Sequence, residues 1–389
     1  FFYNTYDLMG HKIRVKHPDS GTQVRLFNSK GDLIEQRNAH GGIAWRSYDD
    51  IGRQLEVRFG GPTGALQERH FYDGGPGEDL HGRVSRVEGQ FGSVEYSYHP
   101  SGRIKSTTRT FAGLPGSFSI QTEINIADKL TKVVYPDGFS VVLTYGEGGL
   151  LNSISGVIDD IDYGPTGKRE LVRFANGLET SYRYEPGVYW LREQQTTQTA
   201  SGVKYQHLLY DHDAAGNVTV IDDLANLIGK VRNNRRYTYD DLYQLIRAEG
   251  RDAGGDYQHE YRYDALGNIT SKPDAFTQDF VYGVPNRPTL VTGLSGGPLN
   301  QFQYDDGGNL TRMPGAELEY DPLGRLVRVT AANGTVVEYV YDHEGFRTAT
   351  HVTRNGTTQS EFNFDNLFLI RGADRIKLIW DDIQKVAQI

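Results

Sequence analysis

Cysteine is absent from these 389 residues. That excludes disulfides, a cysteine nucleophile and thiolate metal sites. Long hydrophobic runs are absent too: no stretch approaches the roughly 18 apolar residues that a membrane-spanning helix needs. No basic stripe is present. The net charge is −9 with both signs interspersed, which gives nucleic acid no electrostatic footprint. Hydrophobic residues make up only 37%, below the ordinary globular share. Helical signals are scarce, because glycine interrupts every apolar i, i+3, i+4, i+7 face. What is abundant is glycine, at 46, and tyrosine, at 25. Disordered chains are poor in aromatics, so this composition describes a β protein with much solvated surface.

The tyrosines and glycines are in step. Tyr6, Tyr48, Tyr98, Tyr145, Tyr163, Tyr263, Tyr304, Tyr320 and Tyr341 are each followed four residues later by glycine: Gly10, Gly52, Gly102, Gly149, Gly167, Gly267, Gly308, Gly324 and Gly345. Phe27 and Gly31 share the frame, and several intervals are 21 residues. Aspartate follows the tyrosine in "YDLMG", "YDDIG", "YDALG" (Asp264), "YDDGG", "YDPLG" (Asp321) and "YDHEG". Aspartate opens a type I turn by accepting a backbone N–H, and proline at Pro100, Pro165 and Pro322 supplies the next φ. Glycine then takes the left-handed position of a three-residue hairpin loop with a G1 bulge. "YGVPN" puts Asn286 there. Tyrosines two apart, such as Tyr96 and Tyr98 or Tyr261 and Tyr263, share a strand face and are expected to form cross-strand ladders between hairpins.

The unit is therefore a β-hairpin of about 21 residues, and the chain holds roughly 18 of them, or about 36 strands. The frame fails at 60–92 and 186–235, which read as irregular or loop-rich. No linker divides the chain, so residues 1–389 read as one segment, and the ends suggest a piece of a longer polypeptide. A ribbon that wide cannot stay flat; twist coils it, and a single coil is too wide for side chains to fill. Two packed sheets are the alternative.

Ten units in one frame, six of them "YDxxG", resemble the YD-repeat family: bacterial Rhs proteins, the B and C components of Tc insecticidal toxins and, distantly, the animal teneurins. The resemblance implies an all-β fold of tandem hairpins coiled into a large hollow shell. It implies a secreted or cell-surface bacterial protein that encloses and delivers a toxic C-terminal polypeptide. Its partners would be the remainder of the shell, on the same chain or another subunit, the enclosed polypeptide and a delivery-channel component. The family's "DPxGL" self-cleavage motif is only superficially matched by "DPLG" at 321–324, which sits in repeat register, so Asp321 reads as a turn residue. The other reading is an extracellular adhesion or carbohydrate-binding surface, with exposed tyrosines stacking on sugars.

No chemistry competes with these structural readings. "DHDAAGN" (Asp211, Asp213, Asn217) reads as an extended YD turn rather than a calcium loop, for it lacks the distal glutamate. Asp159, Asp160 and Asp162 read as a solvated acidic turn. No HExxH, GxSxG or phosphate loop occurs. The sequence predicts no enzyme, no cofactor and no metal. The sequons at Asn217, Asn268 and Asn309 occupy one place in the repeat and follow from its consensus.

Overall fold

The computed structural model describes residues 3–18, 20–74, 81–225, 231–252, 254–273, 277–282, 288–291, 302–381 and 383–389. Asn286 lies outside them. The described chain is strand throughout, with a single 3-10 turn at Glu147–Gly149. Twenty-three strands lie between Tyr3 and Glu260, four between Arg262 and Val291, and ten between Gln303 and Gln388. Each pairs antiparallel with its sequence neighbour, as in Tyr3–Tyr6 with Lys12–His17 and Ile43–Tyr48 with Gln54–Phe59. The result is a meandering ribbon whose strands run across its width. The sheet is not closed edge to edge.

The stretches expected to be irregular carry regular strands. Ala65–Tyr72 and Val84–Gly89 fall in the first, and Leu191–Gln198, Lys204–His212 and Val218–Asp223 in the second. Their turns escape the sequence frame for local reasons. The turn from Asp73 closes on Arg83, with the Asp73 N–H donating to the Arg83 carbonyl (3.3 Å) after a long insertion. Elsewhere the left-handed position is filled by another residue: Asp128, Tyr189 and Tyr243 have φ of 57°, 57° and 60°.

One face of the ribbon is apolar over its middle third. Because paired residues share a face, the register runs Ile120, then Val133 and Val141 by way of Thr122, then Leu143, Ile154, Ile158, and on through Ile161 to Val172. These residues are buried with Phe111, and what buries them is the far end of the chain: Ala349, Phe362, Phe364, Phe368, Ile370 and Ile379. The ribbon returns on itself and packs core face to core face. Packed sheet and coiled ribbon thus coexist: the fold is a coil whose walls meet at one place.

Candidate functional site

The repeating element is the turn. In every unit of the tyrosine frame the glycine is left-handed, with φ of +86° at Gly10 and Gly52, +92° at Gly102, +73° at Gly149, +74° at Gly167, +84° at Gly267, +87° at Gly308, +80° at Gly324 and +84° at Gly345. Two backbone bonds close the loop. At Asp264, for example, its N–H donates to the Asn268 carbonyl (2.9 Å) and the Gly267 N–H donates to the Asp264 carbonyl (3.0 Å). The register slips by one residue just before each turn, as between Arg262 and Tyr263 or Glu319 and Tyr320. Gly61, in the stretch 60–92 that reads from sequence as loop-rich, has φ of +102° and is as conformationally restricted as the others.

The aspartate does two jobs. One carboxylate oxygen accepts the N–H groups two and four residues on: Leu266 and Asn268 for Asp264, Leu323 and Arg325 for Asp321, Met9 and His11 for Asp7. The other accepts the side chain that follows the glycine, from Asn268 (2.8 Å), Arg325 (2.6 Å), Arg53 to Asp49 (2.6 Å) or Asn309 to Asp305 (2.9 Å). The Asn268 amide, then the Asn268 N–H, hold the Asp264 carboxyl below its usual range. The turn at Asn28 uses the same bonds with the roles exchanged, Asn28 donating to Asp32 (2.8 Å). The asparagines of the sequons are thus turn donors.

Tyrosine joins one hairpin to the one before. The Tyr48 hydroxyl donates to the Leu33 carbonyl (2.9 Å), Tyr98 to Val84 (2.7 Å), Tyr145 to Leu130 (2.8 Å), Tyr263 to Leu245 (2.8 Å) and Tyr341 to Leu326 (2.7 Å). In each case the acceptor opens the strand that follows the preceding turn. Where a cation precedes that acceptor it lies over the tyrosine ring, with Arg83 at 5.2 Å from Tyr98 and Arg325 at 5.0 Å from Tyr341. This differs from the expected tyrosine–tyrosine ladder: the joint is a hydroxyl-to-backbone bond, capped by a cation at some of the hairpins. Tyr6, in the first described hairpin, is exposed; Tyr304 and Tyr320 end the strands Gln303–Tyr304 and Ala316–Tyr320.

A second arrangement was not foreseen, although the sequence carries its signal. The turn that opens at Asp342 has phenylalanine after the glycine, at Phe346, and phenylalanine cannot donate to the aspartate. The missing donor comes from the opposite wall. Asp342 receives Arg109 (3.1 Å); Asp137, inside the turn that opens at Tyr135, likewise receives Lys377 from across the seam (2.7 Å). Asp381 receives Arg169 in the same way (2.6 Å). Burial pushes Asp137 up, and the Lys377 ammonium together with the Phe139 N–H outweighs it, so its pKa is lowered overall. Arg109 is almost wholly buried; it also holds Asp365 (2.9 Å) and lies 5.6 Å from the Phe364 ring. Nearby, the His343 ring packs edge-on against His70, which is bonded to Glu68 (2.9 Å). Burial lowers the His343 pKa and raises that of Tyr96. Tyr135 donates to the Leu378 carbonyl (3.1 Å), and burial pushes its pKa up to about 12. At the rim Asn38 donates to the Pro322 carbonyl (2.8 Å). Gly42 must be glycine there, since a Cβ would lie 2.8 Å from the Pro322 Cα.

This geometry has known counterparts. A sequence profile of the teneurin YD-shell matches residues 189–364. The chain is 26% identical over 212 residues to Toxin subunit YenC1 of Yersinia entomophaga, covering 45% of this chain and 22% of the relative. It is 27% identical over 324 residues to Toxin protein Tse5 of Pseudomonas aeruginosa, covering 73% of this chain and 24% of the relative. The crystal structure of TcdB2-TccC3 superposes with a TM-score of 0.83 over 100% of this chain, at 20% identity and 24% coverage of the larger chain. The Photorhabdus luminescens Tc holotoxin pore gives 0.83 over 98%, at 21% identity and 22% coverage. Over residues 189–364 the chain resembles the teneurin YD-shell, and its fold is that of the TcdB2-TccC3 shell structures. It spans about a quarter of these relatives' length. Its aspartates cap turns and take cations at the seam. Among the described residues no group of three or more His, Asp or Glu could hold a metal ion.

Proposed function

We propose that the chain is a wall segment of a secreted bacterial toxin complex, one that encloses a toxic polypeptide and delivers it. The observation that carries this reading is the seam: the ribbon's middle third and its far end meet core face to core face, so that face looks inward. The toxin relatives and the shell structures support it. The tyrosine-to-glycine turns are joints of one continuous segment, and its role is containment rather than catalysis. Its partners are the rest of the shell, the guest polypeptide and a delivery-channel component.

The test is limited proteolysis of the full-length assembly. In the intact assembly the guest stays uncut. Deleting the hairpins from Tyr304 to Val340 opens the wall and exposes the guest to cleavage. Equal cleavage rates in both would overturn encapsulation and favour the adhesion surface, for which the teneurin match speaks.

A further inference from the structure

The core face continues past the seam, and its chemistry changes there. Register carries it from Val172 to Thr180, Thr196 and Gln206, and in parallel from Tyr182 to Gln194 and Leu208. Beyond, it passes through Tyr210 and Ile221, then Tyr237, Ala248 and His259, with Tyr257 beside Gly250. The apolar core of the seam ends at Val172, with Tyr182 packed against its edge. In its place is a ladder of uncharged polar groups: Thr180 bonds Thr196 (2.9 Å), and the Gln194 amide donates to Gln206 (3.1 Å). Away from the turns, Asp223 and Arg235 are the acidic and basic side chains on this face among the described residues. The reverse face of the same strands is laced with ion pairs: Arg183 with Glu193 (3.4 Å), Arg236 with Asp222 (2.8 Å), and Arg247 with Glu249.

A face turned to bulk solvent ordinarily carries charge, as the reverse face does; a face packed dry is apolar, as the seam is. This face is neither. We propose that the charge-poor stretch from Thr180 to His259 is the surface on which the enclosed polypeptide lies, and that it meets the guest's backbone. The inference rests on the shell reading and adds the chemistry of the contact. Glutamine amides and threonine and tyrosine hydroxyls both donate and accept. They can therefore meet the unpaired N–H and C=O groups of an extended chain whatever its side chains. Aromatic rings at Tyr182, Tyr210, Tyr237 and Tyr257 add apolar contact that is equally indifferent to sequence. A charged lining would instead sort guests by charge.

Gln194 and Gln195 allow a sharp test, for they are adjacent, identical and on opposite faces. The chain has no cysteine, so Gln194→Cys and Gln195→Cys each place one thiol in it. Each variant of the full-length, guest-carrying protein is labelled with benzophenone maleimide during refolding, irradiated, and its adducts mapped by mass spectrometry. Gln206→Cys and His207→Cys repeat the comparison should the first pair fold poorly. Position 194 (or 206) is expected to give adducts spread along the guest, and position 195 (or 207) none. The yield should persist when the guest is replaced by one of opposite net charge. Adducts from 195 at the yield of 194, or none from 194 while the guest remains protease-resistant, would overturn the assignment of the face. Loss of most of the adduct on changing guest charge would overturn backbone recognition. A guest digested as fast as free polypeptide would sink the shell reading and this inference with it.

Discussion

Two stretches of one sheet face, 107–172 and 180–259, are built from the same repeat and meet different environments. The first is covered by the strands Arg347–Arg354 through Asp374–Trp380 and is lined by Phe111, Ile154, Ile158 and Ile161. The second is lined by Thr196, Gln194, Gln206 and Tyr257, half-buried and uncharged. The backbone, turns and tyrosine joints do not change between them. The repeat thus fixes the ribbon, and the side chains pointing to one face decide where the ribbon packs on itself and where it stays apart.

The largest expected effect separates the two stretches directly. Phe364→Ala empties a fully buried site at the seam and should cost about 3–5 kcal/mol. Leu208→Ala, on the uncovered stretch, should cost about 1 kcal/mol. Urea unfolding of each variant measures both, and equal costs would erase the distinction. Next is the clasp. Arg109→Ala leaves Asp342 buried without its cation and should cost about 3 kcal/mol or more. Adding Asp342→Asn removes the stranded charge, so the double variant should be more stable than the single one. If it is less stable, the two residues do not form a unit.

Much of this was legible in the sequence. The 21-residue interval, the aspartate before the turn and the glycine at its end predict hairpins, and Tyr263, Asp264 and Gly267 sit in one. The core face was not legible, because apolar alternation in a two-sided ribbon does not say which face is covered or by what. The turns at Asp73 and Tyr189 were missed because an insertion and a left-handed tyrosine break the frame. The seam had a signal, the phenylalanine after glycine at Phe346 in a turn that Asp342 opens. It acquires meaning only once the carboxylate's second oxygen is known to need a donor.

Smaller effects test the repeat that both stretches share. Tyr145→Phe, beside the seam, and Tyr239→Phe, beside the open wall, each remove one hydroxyl-to-carbonyl bond. Each should cost about 1 kcal/mol, equally in both stretches; a cost at only one would tie the tyrosine to its surroundings rather than to the repeat. The smallest effect concerns Asp264, whose lowered pKa gives stability that is present above the ordinary carboxyl range and lost as pH falls through the lowered value. Asp264→Asn should lower stability slightly at pH 7 and flatten that acid loss. Adding Asn268→Asp recreates the arrangement seen at Asn28 and Asp32 and should restore stability. Thermal melts at pH 7 and pH 3.5 check both; no restoration would mean the two side chains are not partners.

The central claim is that the face running from Phe111 to His259 looks inward, dry where the walls meet and open to a guest beyond. Electron cryo-microscopy of the full-length, guest-carrying assembly at side-chain resolution tests it most directly. The account predicts Phe364 packed against Phe111 at the seam, and Gln194, Gln206 and Tyr257 facing an enclosed space that holds guest density. A map with those residues on the outer surface, and the Arg236–Asp222 face turned to the enclosed space, would contradict it.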